Sequence, residues 1–157
     1  MVCKRALVAT PLPSEHTAYL FTLRILLERL SWYARDKNSN IEYTLSAITR
    51  LKIAQLREYE DRLKGVAECS VEWSALRGRG KIDQPGRVEQ LQMADIAASA
   101  IFQAFEPDKF GNTETRYLEE LAPALYRREG GSITSYGLKI HPWNDATKPT
   151  YDWASRL

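Results

Sequence analysis

The residues that most often build reactive centres are scarce here: 157 positions include two cysteines and two histidines. Cys3 and Cys69 lie far apart, with no Cys or His nearby at metal-ligand spacing, so a zinc site has no basis, and both read as reduced, buried small side chains. His16 and His141 stand alone, without a Ser, Cys or Asp at a readable spacing, which removes the usual nucleophilic arrangements. Long apolar runs are missing as well. The longest stretch whose only charge is Asp95 is Gln90 to Phe105, too short and too polar for a bilayer span of ~20 apolar residues. Lys4 and Arg5 are followed by Pro11 and Pro13 rather than by an apolar segment and a cleavage site, so a secretory leader is not expected and the compartment reads as cytoplasmic. With a net charge of +2, charge alone does not argue for nucleic acid.

What is present is the composition of a folded protein, 44% hydrophobic and 27% charged, at a length that fits one domain, 1–157. Met1 to Val8 reads as a strand end, and Ser14 offers a helix N-cap after the break at Pro11 and Pro13. From His16 to Asp36, Leu20, Leu23, Leu27, Leu30 and Ala34 recur at helical steps. Ile41, Tyr43 and Leu45 alternate with polar residues as in a half-buried strand. Lys52 to Lys64 predicts a second helix, with Ile53, Leu56, Tyr59 and Leu63 on one face and a stop at Gly65.

The alternation of Val71, Trp73 and Ala75 predicts a strand over Ser70 to Leu76. Arg77 to Arg87 reads as a loop, and Glu89 to Phe105 as an Ala-rich helix suited to close packing on a sheet. Helices of this length between strands imply parallel crossovers. Thr113 to Arg128 predicts a helix bent or broken at Pro123. Ser135 to Pro142 reads as a short extended segment, and 143–157 as an irregular tail whose Trp143, Tyr151 and Trp153 either anchor a partner or pack back onto the domain.

Gln92, Asp95 and Ser99 fall on one stripe of the helix Glu89 to Phe105, with Asp95 as its only charge beyond the first residue. A carboxylate buried there is costly unless paired or metal-bound, so Asp95 reads either as a ligand for Mg²⁺ or Mn²⁺ or as an ion-pair partner. Glu28 follows Arg24 by four residues, which makes a helical ion pair its ordinary role. Arg77, Arg79, Lys81 and Arg87 cluster just before the Asp95 helix, where they either approach a phosphate backbone or sit in a solvated loop. No aromatic residue interleaves with them as a base-stacking platform would require.

Four segments, taken in order, resemble the bacterial and phage family called domain of unknown function 3800. They are Cys3-Lys-Arg-Ala-Leu7, Leu26-Leu-Glu-Arg-Leu-Ser-Trp-Tyr-Ala-Arg-Asp36, Glu89-Gln-Leu-Gln-Met-Ala-Asp-Ile-Ala-Ala-Ser-Ala100 and Tyr136-Gly-Leu-Lys139 before His-Pro. The resemblance implies an α/β fold of ribonuclease-H-like type, a partial sheet of parallel strands with flanking helices, in which carboxylates hold divalent metal for cleavage of nucleic acid phosphodiesters. On that pattern Asp95 is the last-helix carboxylate and Glu28 a first-helix one. Members usually open with a strand bearing an Asp-Glu-Ser type motif, and that acidic strand is missing from these residues. No carboxylate appears around Ser46-Ala-Ile-Thr-Arg50 either, which keeps a non-catalytic protein- or nucleic-acid-binding module as the alternative. With the first strand absent, the strand Ile41 to Ile48 is expected to pair with Ser70 to Leu76 on one side. Its bare side would be covered by a homo-oligomer, by a partner chain or by Met1 to Val8.

Overall fold

The apolar stripe expected from His16 onward does form a helix, α1 (Thr17–Asp36), which buries Leu23, Leu27 and Ala34 in the computed structural model. That model describes residues 16–47, 52–129, 131–141, 144–145 and 148–155; Cys3, Ser14, Trp143 and the expected strand Met1 to Val8 lie outside these residues. The end of α1 is chemically defined. Asn38 takes φ 49°, its N–H donates to the Arg35 carbonyl, and the Ser39 N–H reaches back to the Ala34 carbonyl. Asn is the residue after Gly that tolerates this left-handed position, so the Schellman-type stop is written in the sequence. Contacts divide the described residues into two compact units, one within Leu7–Arg87 and one within Val88–Leu157.

In the first unit α1 is followed by β1 (Thr44–Ser46), α2 (Ile53–Lys64) and β2 (Lys81–Asp83). The two strands pair in parallel, Thr44 opposite Lys81 and Ser46 opposite Asp83, and the Ala47 N–H donates to the Asp83 carbonyl. An isolated parallel bridge joins Ile41 to Leu76. The two residues between Ile41 and Thr44 therefore face the four between Leu76 and Lys81, and the surplus forms an arch through Gly78, which takes φ 70°. Among the described residues β1 pairs with no strand other than β2. The core gathers Leu23, Leu27, Tyr43, Leu45, Leu56, Val71 and Leu76.

The expected strand Ser70 to Leu76 is corrected. Residues Trp73–Ala75 form a 3₁₀ turn, and the strand that pairs with β1 comes from the segment read as a loop. Side chains of α1 supply the reason, because they take the hydrogen bonds a neighbouring strand would take. The Ser70 N–H donates to Glu28, the Glu72 N–H to the Ser31 hydroxyl, and the Trp32 indole N–H to the Ser70 carbonyl. Alternation persists, with Val71 and Ala75 buried, but the chain lies along a helix.

The second unit contains α3 (Glu89–Phe105) and α4 (Arg116–Leu121), which pack on each other. At Pro123 the helical backbone tightens into a 3₁₀ turn, Ala122–Ala124, in line with the expected break, and the helical span is shorter than Thr113 to Arg128. Ile133–Ser135 is a 3₁₀ turn capped by the Ser132 hydroxyl, where an extended segment from Ser135 was expected. Leu138 and Ile140 beyond it are buried with Ala104, Leu118, Ala122, Ile133 and Ala154. In the last 3₁₀ stretch, Lys148–Ser155, Tyr151 and Trp153 pack on Phe105 at ring-centroid distances of 5.0 and 4.9 Å, so these two tail aromatics fold back. The protein is thus a mixed α/β structure, and no described helix is long and apolar enough to cross a membrane.

Candidate functional site

Glu28 sits on the inner side of α1, only 9% exposed. Its carboxylate accepts from Arg24 Nε at 3.1 Å and from the Ser70 N–H at 3.3 Å, with Arg29 Nη1 at 4.0 Å. Arg24 also donates to the Glu68 carbonyl. The ordinary helical ion pair is therefore present, and the carboxylate is occupied in tying α1 to the segment that follows α2. Both hydrogen bonds fall on Oε1, which leaves Oε2 facing Arg29.

The basic cluster is matched by acids. Lys81 Nζ lies 2.7 Å and Arg77 Nη1 3.8 Å from the two oxygens of Glu42, while Arg79 pairs with Asp61. The hydrogen bond from Lys81 holds the Glu42 carboxyl below its ordinary range, and Arg79 does the same for Asp61. Lys81 belongs to β2, Arg77 and Arg79 to the arch before it, and exposed Arg87 to the turn after it. Two acids answering three of the four cations leave a weakly positive edge, so the structure brings Arg77, Lys81 and Glu42 together as an ion-paired surface.

A buried polar network escaped the sequence reading. Glu60, 1% exposed, lies between Leu56 and Leu63 on the inward stripe of α2. It accepts the Tyr43 phenol at 2.9 Å and Arg57 Nη1 at 3.1 and 2.9 Å, while Arg57 Nη2 donates to the Gly80 carbonyl. The Tyr43 phenol is pushed up to about 12, by burial first and by its bond to Glu60 second. A carboxylate four residues after Leu56 and three before Leu63 was the available signal, since that spacing puts it among core positions. Ile53, placed on the same face by periodicity, is instead 57% exposed.

Beside this network a cavity of about 160 Å³ opens, lined by Tyr19, Leu45, Ser46, Ala47, Ile53, Leu56 and Ile82. It lies where β1 and β2 end and where α1 and α2 begin.

In the second unit the expectation for Asp95 is overturned on one point. The carboxylate does not cross a buried helix: Asp95, Gln92 and Ser99 are all exposed, and Ala104 is the buried residue of α3. Met93 is 65%, Ile96 71% and Phe102 50% exposed, so α3 carries exposed apolar side chains. The Ala-rich sequence was read as a packing face, and within its own unit α3 packs on the six-residue α4 and, through Ala104 and Phe105, on the segments that follow it. Among the described residues no group of three His, Cys, Asp or Glu side chains is placed to hold a metal ion. Glu28 belongs to the first unit and Asp95 to the second. Comparison with known proteins found no matching family model, no matching curated protein and no matching solved structure.

Proposed function

We propose that this chain is a non-catalytic protein-binding module on a ribonuclease-H-like α/β fold, with α3 as its contact element and a second copy of the chain as its partner. The carrying observation is the exposure of Met93 and Ile96, 65% and 71%, on a helix of high apolar content. Exposed apolar surface concentrated on one helix is the usual mark of an interface. Met93, Ile96, Ala97 and Ala100 follow the i, i+3, i+4, i+7 spacing of a helix-contact stripe. Alanines let two backbones approach, and Met and Ile supply the knobs, so the stripe suits its own twofold copy. The order helix, strand, helix, parallel strand, helix supports the fold assignment. The test is the molar mass in solution, measured by analytical ultracentrifugation across a range of concentrations. A dimer is expected whose dissociation constant rises at least tenfold in Ile96→Glu; a monomer throughout, or a dimer indifferent to Ile96→Glu and Met93→Glu, overturns the reading.

A second reading, metal-dependent cleavage of nucleic acid, draws on the exposed Asp95 carboxylate and on Arg77 and Lys81, whose side chains are each 70% exposed. Cleavage of labelled RNA or DNA that requires Mg²⁺ or Mn²⁺ and disappears in Asp95→Asn would establish it in place of the first.

A further inference from the structure

The cavity at the ends of β1 and β2 has a position, a size and a lining that together specify an occupant. In α/β folds ligands settle beyond the carboxyl ends of parallel strands, and this cavity is bounded there by Leu45, Ser46 and Ala47 of the first strand and its continuation and by Ile82 of the second. Tyr19 in the first turn of α1 and Ile53 at the start of α2 complete the wall, so four elements converge on it. Its volume of about 160 Å³ is close to the ~150 Å³ of an engineered apolar cavity that takes up benzene. Among the described residues that line it there is no acid, Lys, Arg or His, so a charged ligand would lose its hydration without gaining a counter-charge from them. Among the described lining residues, Ser46 and Tyr19 carry hydroxyls. Burial raises the Tyr19 phenol further above neutrality, so it is a neutral donor at physiological pH.

We infer that this cavity is a binding site for an uncharged, mostly apolar small molecule of single-ring size carrying one hydrogen-bonding group. The inference is independent of the α3 interface, because the cavity lies wholly within the first unit.

Phenol is the probe, with benzoate as its charged counterpart of the same ring size. In a methyl NMR titration of the full chain, phenol is expected to shift the methyl signals of Leu45, Ala47, Ile53, Leu56 and Ile82 saturably, with one site per chain. Benzoate is expected to bind at least tenfold more weakly. Ile53→Trp, at a position already 57% exposed on the cavity wall, should weaken phenol at least tenfold. If that variant does not fold, Ala47→Leu fills the cavity from the strand side and should weaken phenol equally. The site is refuted if phenol gives no saturable shift up to millimolar concentration, if benzoate binds as tightly, or if neither folded variant weakens phenol. It is equally refuted if the shifts fall on Leu118, Ile133 and Ile140 of the other core.

Discussion

A β-carbon added to Gly80 would lie 2.1 Å from Cε2 of Tyr43, with Cδ2 and Cζ of the same ring at 2.7 and 2.8 Å. The ring has little room to yield, because Tyr43 is 8% exposed and its phenol is anchored on Glu60. Gly80→Ala should therefore destabilise the protein by about 1–3 kcal/mol, the usual range for overpacking a core. Urea denaturation measures it. Combined with Tyr43→Leu, the cost should be less than additive, since the smaller side chain vacates the contested space.

Arg57 and Glu60 form a pair whose loss is asymmetric. The Glu60 side chain is 2% exposed and that of Arg57 25%, so removing the cation strands a carboxylate that water cannot reach. Arg57→Met is expected to cost about 3 kcal/mol in urea denaturation. The double variant Arg57→Met with Glu60→Leu should recover much of that loss, because no buried charge is left uncompensated. A double variant as unstable as Arg57→Met alone would mean that the Gly80 carbonyl contact, not the charge pair, carries the effect.

Tyr43 gives the protein an alkaline limb. Its folded-state value of about 12 exceeds the ordinary 10.0, so above pH 10 the unfolded chain gives up the phenolic proton while the folded chain keeps it. Its stabilising contribution is whole below pH 10 and is lost as pH climbs toward 12. The size is at most about 3 kcal/mol. Urea midpoints of the wild type and Tyr43→Phe from pH 8 to 12 isolate it: the wild type should fall more steeply between pH 10 and 12 than the variant, which keeps Tyr19 and Tyr59, both also raised by burial.

Phe105 holds the tail of the second unit through two ring contacts, with Tyr151 and with Trp153. Phe105→Ala should destabilise that unit by about 3 kcal/mol, the lower end for truncating a packed phenylalanine, since Phe105 is only half buried. The side-chain NMR signals of Trp153 should collapse toward random-coil positions before global unfolding. Persistence of their dispersion in the variant would show that Ala154 alone holds the tail.

Periodicity made α1, α2 and α3 legible, because three- and four-residue apolar spacing is a local property that packing then exploits. Pro123 likewise announced a bend or break through backbone chemistry alone, and the helix does tighten there. The error at Ser70 to Leu76 is of another kind. Alternation records which side of an extended chain is buried and is silent about who accepts its hydrogen bonds, and here those partners are Glu28 and Ser31 of a helix. Lys81–Asp83 was unreadable as a strand for the complementary reason: three residues, two of them charged, carry no period, and only the opposite strand fixes them. Asp95 was read correctly as lying on a helix and incorrectly as buried, since an Ala-rich sequence specifies that a helix can be approached closely but not by what. Glu60 was passed over because its neighbours Glu58 and Asp61 made the whole stretch look solvated.

The arch before β2 makes the spacing between Leu76 and Lys81 an adjustable quantity. Its ends are pinned, Arg77 N–H on the Ile41 carbonyl and Gly80 under Tyr43 and Arg57, while nothing lies within 4 Å of where Gly78 would carry a side chain. A peptide spliced in at Gly78 would bulge outward without altering which residues face each other across the ladder, whereas one extra residue inside Lys81–Asp83 would turn every following side chain to the opposite face. Here the molecule can change length and keep its pattern of partners.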